Sequence, residues 1–312
     1  MTDRLRASDL HPELRAFRFV PNPPIHRPWV LSLAQRPGPS RRGPKLPVGM
    51  DYRFVDLGDG VAAHVYSPAG DAQRAAVMWI HGGGMVVGSA AQDHARCLAL
   101  AGDLDVVVVS DEYRLATAHG FPIPLDDCHR VWRWLVDHAA ELHVDVDRLA
   151  IGGQSAGGGL TAGLVLRVHD EGGTQPVAQW LFCPMLDDRT AANRELDAVR
   201  HYLWNNTSNR VGWSAYLGGD PGGPDVPAYA APARRTDLAG LPAAWVGCGD
   251  IDLFHDEDVA YAQALIAAGV PCEVDTVAGA PHAFESILPK APVSRAYSAR
   301  ARSWLAEQLA PS

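Results

Sequence analysis

Lysine is almost missing from this chain of 312 residues; only Lys45 and Lys290 occur, each preceded by proline. A phosphate-binding loop built on Gly-Lys-Ser/Thr is therefore excluded. Cysteine is sparse as well, with Cys97, Cys128, Cys183, Cys248 and Cys272 forming an odd set without a Cys-x-x-Cys pair. That pattern argues against a disulfide scaffold and against a zinc site, and leaves most of the cysteines as small buried hydrophobes. Long apolar runs are lacking too. Ala75–Ile80 and Val106–Val109 fall far short of the ~18 residues that a spanning helix needs. Positive charge is in deficit, 27 Lys plus Arg against 36 Asp plus Glu, for a formal net charge of −9. Such a chain has little with which to neutralise a phosphate backbone or an anionic membrane, so no nucleic-acid partner and no membrane span are expected. Met1–Arg18 has no apolar h-region, and the default expectation is a cytoplasmic protein.

What is present is a 47% hydrophobic chain, enough for one large domain or two small ones. The first part is rich in Pro and Arg and carries short helical pieces around Pro12–Phe19 and Trp29–Gln35. From Arg53 onward, β-rich runs alternate with helix-length segments, the pattern of crossovers on a mostly parallel sheet. Strands are predicted at Arg53–Leu57, Val61–Ser67, Ala75–Ile80, Asp105–Ser110, Arg148–Ile151, Gln179–Phe182, Ala243–Cys248 and Glu273–Val277. The first two, joined by Gly58-Asp59-Gly60, read as an antiparallel hairpin. Helices are predicted at Ala91–Ala101, Leu125–Glu141, Ala156–Asp170, Glu257–Ala268 and Val293–Leu309. Almost sixty residues separate the strand ending near Pro184 from that starting near Ala243, too many for a plain connection. A small lid is expected there, with Tyr202, Trp204, Trp213 and Tyr216 building a local core rather than a ligand pocket.

Gly153-Gln154-Ser155-Ala156-Gly157 follows a predicted strand and opens a predicted helix, which sets a serine hydroxyl on a sharp, exposed turn. A serine needs a base and a carboxylate to orient that base. Later strand-end loops offer both, with Asp250 and Asp252 after Ala243–Cys248 and His282 after Glu273–Val277. The chain order is Ser, Asp, His. His81-Gly82-Gly83-Gly84, directly after Ala75–Ile80, can turn backbone N–H groups toward a developing oxyanion, and the Ala156 N–H at the helix start adds another.

These segments resemble the hormone-sensitive-lipase-like esterases of the α/β-hydrolase superfamily. The resemblance runs through His81–Ser89, Glu112–Leu115, Phe121–Asp127, Gly153–Gly158, Asp252–Glu257 and His282–Phe284, in family order. It implies an α/β-hydrolase fold with a mostly parallel eight-stranded sheet flanked by helices and a small helical cap. It divides the chain into an arm over 1–50 that contributes to the cap, a core over 51–187 and 236–312, and a cap insertion over 188–235. It further implies Ser155 as nucleophile, His282 as general base and acid, Asp252 as orienting carboxylate, and Gly83, Gly84 and Ala156 as oxyanion donors. Asp250 competes with Asp252, and the spacing to Phe254 and Asp256-Glu257 favours Asp252. His81 reads as a brace for the glycine loop. Tyr113, Arg114, Asp126 and Asp127 read as loop anchors. The arginines at 189, 194, 200 and 210 read as a solvated face.

The chain departs from the family pattern at Gln154, where Asp or Thr is usual, at Leu253 in place of Pro, and at Ala116-Thr117-Ala118-His119 in place of Ala-Pro-Glu-His. None of these removes a reacting group. The expected activity is a serine carboxylesterase acting on short- to medium-chain acyl esters, with a small-molecule ester as partner and no cofactor or metal. The resemblance also suggests a homodimer. An amidase or peptidase on the same triad, or a non-catalytic small-molecule receptor of the same fold, are the rival readings. A dinucleotide fingerprint over Gly152–Gly159 lacks the acidic residue at the end of a following strand.

Overall fold

Gly58 and Gly60 at φ +84° and Asp59 at φ +57° reverse the chain, and the strands on either side pair antiparallel as the hairpin pattern predicts. In the computed structural model, which describes residues 3–34 and 43–311, the elements follow in chain order. They are β1 (Asp3–Arg4), a 3-10 helix (Pro12–Phe19), α1 (Pro28–Ala34), β2 (Met50–Gly58), β3 (Val61–Pro68), β4 (Arg74–Ile80) and α2 (His94–Leu104). Then come β5 (Val107–Glu112), α3 (Ile123–Asp137), β6 (Val144–Gln154), α4 (Ala156–Glu171), β7 (Ala178–Phe182), α5 (Asp188–Ala192), β8 (Val199–Arg200) and α6 (Asn206–Leu217). The chain closes with β9 (Ala243–Gly249), α7 (His255–Ala267), β10 (Cys272–Val277), α8 (Phe284–Ile287) and α9 (Pro292–Gln308). Gln35, the expected end of the second helical piece, lies outside the described residues.

Eight strands form one sheet in the order β10-β9-β7-β6-β4-β5-β3-β2. The pairs β2/β3 and β3/β5 are antiparallel and the rest parallel. This is the α/β-hydrolase fold. The fifth strand starts later than predicted because Asp105, in the left-handed region at φ +51°, ends α2 and accepts from Arg74 Nε at 2.8 Å. The helix predicted over Ala91–Ala101 is divided, because Ala90–Asp93 forms a 3-10 turn before α2 begins. There the Asp93 carboxylate accepts from the Trp79 indole at 2.9 Å.

Parallel strands with both faces covered bury every residue, and β4 is buried throughout. Its side chains alternate between two cores. Ala76, Met78 and Ile80 meet Leu125, Val131, Leu160, Leu164 and Leu265 of α3, α4 and α7 on one face. Ala75, Val77 and Trp79 meet Cys97, Leu100, Tyr297 and Leu305 of α2 and α9 on the other. Among the described residues no helix is long and apolar enough to cross a membrane.

Register decides where the loops gather. Ile80 of β4 pairs with Gly153 of β6, Gly153 with Leu181 of β7, Leu181 with Val246 of β9, and Val246 with Val274 of β10. Just past this row, at the C-terminal edge of the parallel strands, lie the glycine loop, Ser155, Asp252 and His282. Ligands of open α/β sheets bind at that edge.

Candidate active site

Ser155 has φ +56° and ψ −122°, a sparsely populated backbone region that costs on the order of 1–3 kcal/mol and persists only when its surroundings enforce it. The enforcement is visible. Ser155 N donates to Phe182 O at 2.8 Å, and Ser155 O accepts from Gly159 N and Met185 N, both at 3.0 Å. A Cβ on Gly157 would collide with the carbonyl of Ile80, so α4 can start this close to β4 only with glycine there.

The hydroxyl so presented meets His282, whose Nε2 lies 2.9 Å from Ser155 Oγ. The Nδ1 of the same ring lies 2.8 Å from Asp252 Oδ2. With Nδ1–H donating to the carboxylate, Nε2 presents its lone pair to the serine. Asp252 is held in turn, its Oδ1 accepting from Phe254 N at 3.1 Å, and the Phe254 ring stands edge-on to the imidazole at 5.2 Å. Asp250 takes another task and accepts from Gly279 N at 2.6 Å. All three members of the chain are buried, which keeps competing water away from the hydrogen bonds.

Gly83 and Gly84 lie at φ +134° and +60°, and the Gly83 carbonyl accepts from Val86 N and Val87 N. Among the described residues, the N–H groups of Gly83, Gly84 and Ala156 meet no protein acceptor. A Cβ on Gly84 would overlap the Trp204 indole, so the aromatic ring lies directly against the glycine loop. His81 is fully buried, its Nδ1 within 2.8 Å of Gly82 O and its ring stacked on Tyr113 at 4.3 Å. The Tyr113 hydroxyl donates to His81 O at 3.1 Å. Met85 and Val86 are buried in the core.

The expected anchors have partners: Arg114 grips Asp127 with Nε and Nη2 at 2.8 and 2.7 Å, and Arg167 reaches Asp126 at 2.5 Å. Arg194 and Arg210 both pair with Asp197, and Arg189 with Asp187.

Three features had no signal in the residue pattern. Gln154 Nε2 donates to Glu285 and to Ser286 Oγ, the latter at 2.7 Å, and Arg96 pairs with the same Glu285 at 3.1 Å. The elbow is thereby tied to the segment just after His282. Glu285 and Ser286 also line a cavity of about 360 Å³ that includes none of Ser155, Asp252 or His282. Second, Asn22 donates to His201 O at 2.8 Å and accepts from Leu203 N at 2.9 Å, while β1 and β8 pair in parallel. Burial pushes the His201 imidazole down from its usual pKa, with the Asp252 carboxylate opposing, so this second histidine near the site is neutral at neutral pH. Third, the Cys183 thiol comes up beside Asp252 and His282.

A protein-family model described as the alpha/beta hydrolase fold matches residues 77–286, which take in every part of this site. The chain belongs to that family. The hydrolase is 32% identical over 250 residues to Esterase LipI of Mycobacterium tuberculosis, covering 77% of this chain and 78% of the relative. Among solved structures it is similar to a bacterial heroin esterase, with TM-score 0.86, 33% identity and coverage of 97% of this chain and 99% of that one. It is also similar to esterase LipW from Mycobacterium marinum, with TM-score 0.81, 32% identity and 99% of each chain covered. Within the α/β-hydrolase superfamily it falls in the hormone-sensitive-lipase-like group and is a carboxylic ester hydrolase.

Proposed function

We propose that this hydrolase cleaves short- to medium-chain acyl esters through an acyl-enzyme on Ser155. The observation that carries the reading is the unbroken chain from Asp252 through His282 to Ser155, with bonds of 2.8 and 2.9 Å. As the Ser155 oxygen attacks the ester carbonyl carbon, its proton passes to His282 Nε2, and Asp252 stabilises the imidazolium that forms. The carbonyl oxygen gains negative charge and takes hydrogen bonds from the N–H groups of Gly83, Gly84 and Ala156, donors oriented before the charge develops. His282 then returns the proton to the leaving alcohol. Water, deprotonated by the same nitrogen, attacks the acyl-enzyme, and the acid departs as Ser155 recovers its proton. His81 braces the glycine loop from below and takes no proton.

The arm over 1–50 and the insertion over 188–235 act together as the cap in this reading. Support comes from the β1/β8 pairing and from the Asn22 clamp on residues 201–203. The Trp204 indole against Gly84 narrows the space beside the oxyanion donors and supports the shorter end of the acyl range.

The test is turnover of matched ester and anilide substrates over a series of acyl lengths, in wild type and in Ser155→Ala. The ester of short or medium chain should turn over fastest, and Ser155→Ala should lower kcat by ~10⁴-fold or more. Faster anilide cleavage would favour an amidase, and no turnover of either substrate would favour a receptor.

A further inference from the structure

Cys183 takes the same step past β7 that Ser155 takes past β6, since Gly153 and Leu181 are register partners and each residue lies two positions further on. Its backbone is turned to φ +37°, its N–H donates to Gly247 O at 2.7 Å, and its side chain is buried. The sulfur, a ring nitrogen of His282 and a carboxylate oxygen of Asp252 lie within 4.8 Å of one another. One thiol, one imidazole and one carboxylate make a donor set suited to a thiophilic divalent cation.

We propose that Cys183, Asp252 and His282 form an inhibitory binding site for zinc or a chemically similar divalent cation. Ligand atoms around tetrahedral zinc stand about 3.5 Å apart, given metal–ligand distances near 2.0–2.3 Å. Binding therefore brings the sulfur, now within 4.8 Å of the other two donors, closer by about an ångström and parts Nδ1 from Oδ2, now 2.8 Å apart, by roughly half an ångström, with the fourth position left to water. Nε2 faces Ser155, so a cation shared with the carboxylate binds at Nδ1. The proton there shifts to Nε2, and the thiol releases its proton to solvent. One divalent cation enters and one proton leaves. Thiolate and carboxylate then balance the cation, as a buried charge requires.

The consequence for the proposed chemistry is direct. An imidazole bound to metal through Nδ1 and protonated at Nε2 has no lone pair left to accept the serine proton. Silencing thus rests on the reading of His282 as base, while metal binding does not.

The experiment treats the whole protein with EDTA and then titrates zinc while following hydrolysis of a short-chain ester, and separately titrates cobalt(II) while recording absorption. Wild type should lose activity with one equivalent bound, recover with EDTA, and show a thiolate-to-cobalt charge-transfer band. Cys183→Ala, measured against its own metal-free rate, should need at least ~10-fold more zinc for the same fractional inhibition. Equal zinc sensitivity in Cys183→Ala would overturn the proposal. So would the lack of a thiolate band in wild type, a readout that needs neither turnover nor the variant and so separates this proposal from the esterase reading.

Discussion

Asp250 and Asp252 leave the same strand end two residues apart, yet their carboxylates do different things. Asp252 receives the His282 Nδ1–H at 2.8 Å, and Asp250 receives the Gly279 N–H at 2.6 Å. In the proposed mechanism one orients the imidazole, while the other holds the loop that carries it. Asp252→Asn should lower kcat by ~10⁴-fold, because a carboxamide can stabilise the wrong ring tautomer. Asp250→Asn keeps an acceptor for Gly279 and should cost less than about tenfold, in line with exchanging one hydrogen bond for another. Steady-state kinetics on both variants checks the division of labour, and equal losses would contradict it.

Gly84→Ala tests the proposed oxyanion donors. The position sits at φ +60°, where a side chain costs roughly 1–2 kcal/mol, and the added Cβ would overlap the Trp204 indole. Relief requires the loop to move, which misaims its N–H. A fall in kcat of about 10²-fold or more, with a smaller change in KM, is expected from loss of one such donor. Unchanged kcat would remove Gly84 from the site.

Stability should depend on pH through Glu257. This buried carboxyl accepts from Leu186 N and Asp187 N at 2.7 and 3.2 Å, and burial raises its pKa from the usual 4.5 to about 8. Between those values the folded protein holds a proton that the unfolded chain has lost. The linkage relation then makes stability fall as pH rises across that window and level off above it. Asp111, raised by burial to about 8, adds to the same slope. Glu257→Gln stays neutral and keeps an acceptor, so its thermal midpoint should drop less than that of wild type between pH 5.5 and 8. Parallel curves would contradict the assignment.

Most of the sheet was legible because its strands are β-branched, apolar and short, and because glycine loops and helix-length segments separate them. Ala75–Ile80 reads as a strand from local pattern alone. The elbow was legible for the same reason, since Gly153, Ser155 and Gly157 report on a local turn. What stayed hidden is what depends on distant pairing. Nothing near Asn22 announces that its carboxamide will hold His201 and Leu203. Two-residue strands such as Asp3–Arg4 carry no periodicity to detect. The Gln154 contact to Glu285 joins residues that meet only because β6 ends and α8, which follows β10, begins at one edge of the sheet. Cys183 looked like an ordinary buried cysteine, and only the strand register brings it beside the histidine and the carboxylate.

The most direct test of the central claim is covalent labelling with a fluorophosphonate ester, followed by peptide mapping by mass spectrometry. One label per chain is expected, on Ser155, blocked in Ser155→Ala and strongly slowed in His282→Ala. A label on any other residue, or an unlabelled protein that still hydrolyses esters, would contradict it.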